Sequence, residues 1–152
     1  MRRLLLCAGG ERREGWTHHD GKERPGIDIA GLIPPLPKEI TSRKWDVIEW
    51  IHGPASVNPW ELLLVLEAVR FCLSCDGILA METPNIDLCM RASKLEWVFG
   101  DPGPRENLHM NRWGYTPATL EAVCRKAGFG RFAHLPAEQH LRTRDFRLEA
   151  KV

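Results

Sequence analysis

The amino-terminal segment constrains the fold most. A short apolar run, Leu4-Leu5-Leu6, is followed by the small residues Cys7-Ala8-Gly9-Gly10 and, soon after, by Asp20. Such an apolar run predicts a buried parallel strand, and the small residues let a ligand approach the backbone closely. The carboxylate of Asp20 suits ribose hydroxyl groups. A crossover between parallel strands usually needs a dozen or more residues, so we expect the first crossover helix to be missing or very short.

Strand-like and helix-like segments alternate along the rest of the chain. Strands are predicted at about 3–7, 16–19, 26–30, 44–51, 78–82, 129–134 and 146–150, and helices from 59 onward, over 86–98 and from 117 to 128. This alternation predicts an α/β fold with a doubly wound, mostly parallel sheet. A length of 152 residues predicts a single domain, 1–152.

Ligands of such folds bind at the carboxyl ends of the parallel strands. This rule selects four segments as candidates for a binding site: Cys7-Ala8-Gly9-Gly10, Asp20, Glu49-Trp50-Ile51-His52 and Glu82-Thr83-Pro84-Asn85.

Each of these candidates also has a simpler interpretation. Asp20 either binds a ribose or shapes the turn that it forms with Gly21. Glu49 lies near an adenine edge or pairs with a neighbouring Arg or Lys. Trp50 stacks on adenine or packs in the core.

Two histidines are candidates for chemistry. His52, at the end of the fourth predicted strand, suits a general base because imidazole titrates near neutral pH. The alternative is a histidine that only caps the strand end or lines a pocket. His109 lies in a long loop, where it either covers the site or packs against Trp113.

Six blocks, in the same order, resemble the small class I S-adenosylmethionine-dependent methyltransferase-like proteins of bacteria and phages. They cover nearly the whole chain and comprise Leu4–Gly10, Gly15–Asp20, Trp45–His52, Leu62–Arg70 with Asp76–Leu79, Glu82–Asn85, and His109–Phe129.

The resemblance implies a Rossmann-like methyltransferase fold, S-adenosylmethionine as cofactor and S-adenosylhomocysteine as product. It places Cys7-Ala8-Gly9-Gly10 near the methionine part of the cofactor, Asp20 at the ribose, and the fourth-strand block, from Glu49 to His52, near the adenine and the methyl group. Where relatives carry an adenine-reading Asp, this chain has Gly31, with Asp28 nearby. The methyl acceptor is not identified.

Two other functions stay open. The family usually has glycine where this chain has Cys7, which favours a catalytically degenerate binding or assembly module as the alternative. A domain for another nucleotide is ranked last, since the Gly-x-Gly-x-x-Gly fingerprint is absent.

Composition narrows the partners. A net charge of +1 disfavours nucleic acid as a partner, and no apolar run approaches the roughly 18 residues of a membrane span.

Five cysteines, mostly in apolar segments, suit reduced thiols in the cytoplasm. Cys72-Leu73-Ser74-Cys75 has the spacing of half a zinc site but lacks a second pair, so packing is favoured and no metal is expected. A homo-oligomer is an open alternative to a monomer.

Overall fold

The computed structural model describes residues 1–100 and 111–152. Within them, seven strands form one sheet in the order β3-β2-β1-β4-β5-β7-β6. Strands β1 to β5 run parallel, and β7 is antiparallel to both β5 and β6. The predicted mostly parallel α/β sheet is confirmed. The strands are β1 (Arg3–Leu6), β2 (Thr17–Asp20), β3 (Ile29–Ala30), β4 (Trp45–Ile51), β5 (Leu73–Pro84), β6 (Arg131–Pro136) and β7 (Asp145–Lys151).

Six helices are present in the described part of the chain: α1 (Lys38–Thr41), α2 (Gly53–Ser56), α3 (Pro59–Cys72), α4 (Ile86–Arg91), α5 (Leu95–Phe99) and α6 (Pro117–Lys126). The helix predicted over 86–98 is wrong as a continuous element. Ser93 adopts a left-handed backbone with φ of 53°, which ends α4 before α5 begins. None of the described helices is long and apolar enough to cross a bilayer.

The first crossover contains no helix. Residues 7–16 join β1 directly to β2 through turns, as expected from the short segment, and the two strands pair in parallel. Positive φ angles at Gly9 (57°) and Gly15 (74°) let the backbone reverse within this short distance.

Successive side chains of the central strands point to opposite faces of the sheet, and the two faces differ in polarity. Ile48, Trp50 and Met81 pack with the apolar face of α3 in the main core. Each such fully buried side chain stabilises the fold by about 2 kcal/mol. The opposite face carries the buried charged residues Glu82 and Arg147.

Candidate functional site

The carboxyl ends of β1, β2 and β4 open into a cleft of about 450 Å³. This volume lies within the range of small-molecule sites in proteins. Five of the residues predicted from the sequence line it: Cys7, Gly9, Asp20, Ile51 and His52. The rule that ligands bind at strand carboxyl ends therefore located a real cavity.

Strand β2 holds the loop that follows β1. The backbone N–H of Ala8 donates to the carbonyl of His19 at 2.8 Å, and that of Gly9 donates to Oδ2 of Asp20 at 2.8 Å. The N–H of Cys7 lies 3.4 Å from Nδ1 of His19. These contacts fix the path of the loop along one edge of the cleft.

The backbone of this loop is shaped for close approach. Cys7 has a φ of 56°, in the left-handed region that non-glycine residues rarely adopt. A Cβ added to Gly9 would meet no atom within 4 Å, so its backbone faces open space. Burial raises the pKa of the Cys7 thiol to about 11, which keeps this thiol protonated at neutral pH.

Asp20 shapes the turn as well as lining the cleft. Its Oδ1 accepts a hydrogen bond from the N–H of Lys22 at 3.1 Å, the pattern of an Asx turn. Its Oδ2 accepts from Gly9. Because each carboxylate oxygen has two lone pairs, both oxygens retain acceptor capacity for a ligand hydroxyl group.

His19 was not predicted as a site residue. Its ring is fully buried, and Nε2 lies 2.8 Å from the carbonyl oxygen of Gly31. Burial lowers the pKa of His19, so the ring is neutral, donates from Nε2 to Gly31 and accepts at Nδ1 from Cys7. It thereby joins the loops after β1 and β3. The sequence signal for His19 was its position next to Asp20 in a predicted strand. Adjacent side chains of a strand point to opposite faces of the sheet.

His52 directly follows β4, with a φ of 58°, and lies among three polar side chains from the start of β7 and the preceding loop. Its Nε2 is 3.0 Å from Oδ2 of Asp145, and Arg144 binds the same carboxylate through Nε (2.5 Å) and Nη2 (2.7 Å). The His140 ring centroid lies 4.1 Å from that of His52. A strained backbone at such a position is a feature of functional sites.

Sequence reasoning did not find the partners of His52. Asp145 starts β7, which runs antiparallel to β5, so it pairs with Pro84 at the end where the parallel strands finish. No local pattern reveals this neighbourhood.

The cluster also resembles a metal site. One ligand atom from each of His52, His140 and Asp145 lies within 4.8 Å of the others. However, the Arg144 guanidinium already contacts both oxygens of Asp145 and lies 3.3 Å from Nε2 of His52. Arg144 therefore occupies the place of a cation, and the chemistry of the cluster is that of hydrogen bonding.

Two fourth-strand candidates lie outside the lining of the cleft. The carboxylate of Glu49 is buried and pairs with Arg13 and, at 2.9 Å, with Arg147, as the ion-pair interpretation predicted. Trp50 is fully buried in the main core. Strand alternation aims both side chains at the two faces of the sheet, away from its carboxyl edge.

The other candidates have different surroundings. Asp28 accepts a hydrogen bond from the backbone N–H of His18 at 2.8 Å and does not line the cleft. Ala8 packs beside Leu5, and Gly10 is exposed next to the lining residues. The prediction for His109 lies outside the described residues.

Comparison of sequences gives no match to a family model and none to a curated protein. Comparison of folds is decisive. The methyltransferase CcbJ from Streptomyces caelestis aligns over 99% of this chain and 82% of its own, with a TM-score of 0.71 and 10% identity. This chain has the class I methyltransferase fold.

Two further structures agree. A glycopeptide N-methyltransferase, MtfA, complexed with S-adenosylmethionine, aligns over 98% of this chain and 80% of its own (TM-score 0.68, 13% identity). An S-adenosylmethionine-dependent methyltransferase from Clostridium acetobutylicum aligns over 99% and 83% (TM-score 0.67, 13% identity). The shared fold covers almost the whole chain, including the strands that form the cleft.

Proposed function

We propose that this chain transfers a methyl group from S-adenosylmethionine to an acceptor and releases S-adenosylhomocysteine. The observation that carries the proposal is the cleft at the carboxyl ends of β1, β2 and β4. It lies in a fold shared with the cofactor complexes of MtfA and of DhpI, the latter with the demethylated product. Ligands of open α/β sheets bind at this edge.

The lining of the cleft fits the two kinds of surface on this cofactor. Leu32, Ile33 and Pro34 provide an apolar wall for an adenine ring. The open backbone at Gly9 and the carboxylate of Asp20 suit the polar ribose and methionine parts. When bound, the cofactor supplies a methyl group on a sulfonium sulfur, which is already a strong electrophile.

The residues of the chain then have a modest task. The loop from Cys7 to Gly10 and Asp20 hold the cofactor, and Ile51 limits water at the end of β4, where it is 9% exposed. Orientation of the acceptor contributes most of the rate enhancement. His52 lines the same cleft and serves as general base.

Composition and the exposed surface bear on the acceptor class, the cellular location and the oligomeric state. The net charge of +1 favours an acceptor other than nucleic acid. A cytoplasmic location is supported by five free cysteines. Trp60, Leu64 and Phe71 expose apolar side chains along α3, which supports a homo-oligomer that size-exclusion chromatography with light scattering would detect.

Calorimetry with S-adenosylmethionine and S-adenosylhomocysteine tests the proposal. We expect saturable binding of both, weakened roughly 10-fold or more by Asp20→Asn, because a hydrogen bond to a charged group contributes about 1.5–3 kcal/mol. Asp76→Asn is the matched control, since Asp76 is exposed at the amino end of the sheet. No heat and no thermal shift with either ligand at millimolar concentration would contradict the proposal.

A methyltransferase-like module without catalysis is the second candidate. It is favoured by Cys7, which places a side chain in the cleft lining where the family has glycine. This candidate predicts a stable complex or oligomer that Asp20→Asn leaves unchanged. Ligand binding that depends on Asp20 would exclude it.

A further inference from the structure

Asp145 is buried against His52, which lines the cleft, and its carboxylate makes three hydrogen bonds. Its side chain is 0% exposed. Arg144 donates to Oδ1 at 2.5 Å and to Oδ2 at 2.7 Å, and Nε2 of His52 lies 3.0 Å from Oδ2. Burial by itself would raise the pKa of Asp145, but the hydrogen bonds from His52 and Arg144 outweigh it and hold the pKa below its ordinary value. The group is therefore an ionised carboxylate, which only accepts hydrogen bonds.

This arrangement specifies where the proton of a neutral His52 ring resides. Because Asp145 can only accept, Nε2 of His52 carries the hydrogen. Arg144 lies 3.3 Å from that nitrogen because both donors converge on the same oxygen, Oδ2. The lone pair of the ring is then on Nδ1, which has no hydrogen-bond partner among the described residues. His52 lines the cleft and its side chain is 32% exposed, so a ligand can reach the ring.

The inference rests on the proposed methyl transfer. We propose that Asp145, clamped by Arg144, is a positioning residue that holds His52 as its Nε2–H tautomer and presents Nδ1 to an acceptor with a removable proton, a hydroxyl or an amine.

The step balances with His52 as the proton acceptor. For an acceptor X–H, the X–C bond forms as the carbon–sulfur bond breaks, the sulfur keeps that electron pair, and the X–H proton passes to Nδ1 before release to solvent. The imidazolium formed keeps its hydrogen bond from Nε2–H to the carboxylate of Asp145. A carboxylate acceptor is already deprotonated and has no use for this base. Arg144 does not recruit one either, since its charge is matched by Asp145.

The surroundings of His52 include no second carboxylate that could replace Asp145 in the described structure. The charged and titratable groups beside it are Asp145, the first residue of β7, and Arg144 and His140 in the preceding loop. Glu82 accepts a hydrogen bond from the His52 backbone N–H through its carbonyl oxygen at 2.7 Å, but its carboxylate is bound by Arg147 and by the backbone N–H groups of residues 138 and 139.

Nitrogen-15 NMR of histidine side chains in the ligand-free protein tests the tautomer directly. We expect the Nε2–H form of His52 in the wild-type chain. In Asp145→Asn, an amide N–H can face Nε2, so the signals should change to the Nδ1–H form. Asp46→Asn is the matched control, because Asp46 is half-exposed and bound to Arg2 and Ser74 away from the cleft. An Nδ1–H tautomer in the wild type, or no change in Asp145→Asn, overturns the assignment.

Methyl transfer to chemically simple probes tests the acceptor class. With labelled S-adenosylmethionine and high concentrations of catechol, histamine and benzoate, we expect transfer to catechol or histamine. Asp145→Asn should lower this rate by about 100-fold or more, the usual contribution of general base catalysis. Its affinity for S-adenosylhomocysteine by calorimetry should stay within about 2-fold of the wild type, which also shows that the variant folds.

Transfer to benzoate alone, or to none of the probes, overturns the acceptor assignment. Tight Zn²⁺ binding that Asp145→Asn abolishes overturns the positioning role, because the cluster would then be a metal site. Failure of the wild-type chain to bind S-adenosylhomocysteine contradicts the proposed function instead, and the tautomer measurement is independent of that result.

Discussion

The buried charge network on one face of the sheet makes Arg147→Met a demanding test of the structure. Arg147 is 5% exposed and contacts Glu49 at 2.9 Å and Glu82 at 3.2 Å, which are themselves 6% and 0% exposed. In Arg147→Met, Glu49 would keep its ion pair with Arg13, and Glu82 would keep the hydrogen bonds from two backbone N–H groups. The variant nevertheless leaves one buried negative charge without a counter-charge.

The expected loss follows from that imbalance. Breaking a buried ion pair by removing one partner costs about 3–5 kcal/mol of the free energy of unfolding. Methionine replaces much of the arginine stem, so lost packing contributes little. For a domain of this size, the loss lowers the melting temperature by roughly 10 °C. Urea denaturation followed by tryptophan fluorescence measures the free energy directly.

Two comparisons make the result interpretable. Arg125→Met removes an arginine that is 58% exposed from its pair with Glu121, and should cost much less than Arg147→Met because solvent screens exposed ion pairs. Adding Glu82→Gln to Arg147→Met should restore part of the stability, because it removes the unmatched charge. A loss below about 1 kcal/mol for Arg147→Met, or no recovery in the double variant, would refute the reasoning.

Two further predictions concern the cleft itself. Cys7→Gly should change the free energy of unfolding by less than about 1 kcal/mol, because relief of the left-handed strain offsets the lost thiol. It should also tighten S-adenosylhomocysteine binding in calorimetry, because the Cys7 side chain takes up space in the lining of the cleft. Weaker binding would contradict this explanation. Burial holds the pKa of His19 below its ordinary 6.5, so the unfolded chain takes up a proton first as pH falls. The contribution of neutral His19 to the free energy of unfolding is therefore complete above the ordinary pKa of 6.5 and decreases as the pH falls below it. Melting temperatures between pH 7.5 and 5.5 should fall less steeply in His19→Gln, and equal slopes would exclude the effect.

Local patterning predicted most of the elements and the position of the cleft. The apolar run at Leu4 and the alternation of strand-like and helix-like segments are signals that neighbours along the chain provide. The helix predicted to begin at 117 is present as α6, and the side chain of Thr116 caps it. Asn58 precedes α3, but its side chain donates to Glu61 and does not cap the helix.

The missing first helix was also predictable. Chain length alone decides it, since residues 7–16 cannot accommodate a crossover helix and still return to a parallel strand. The same segment supplied Cys7, Gly9 and Asp20, which line the cleft.

The orientation of individual side chains needed the three-dimensional structure. Glu49 and Trp50 are adjacent in a strand whose end was correctly placed, yet neither lines the cleft. Strand alternation directs Glu49 and Trp50 to the two faces of the sheet, whereas Ile51 and His52, at the carboxyl end of β4, line the cleft.

The partners of His52 depend entirely on the tertiary structure. His52 and Asp145 are 93 positions apart and meet only because β7 enters the sheet antiparallel to β5. Hydrophobic patterning records whether a segment is a strand, but not its direction or its neighbour in the sheet. The amino-acid sequence therefore determined the strands, the short first crossover and the edge of the sheet at which the cleft opens. The order and direction of the strands decided which side chains surround His52.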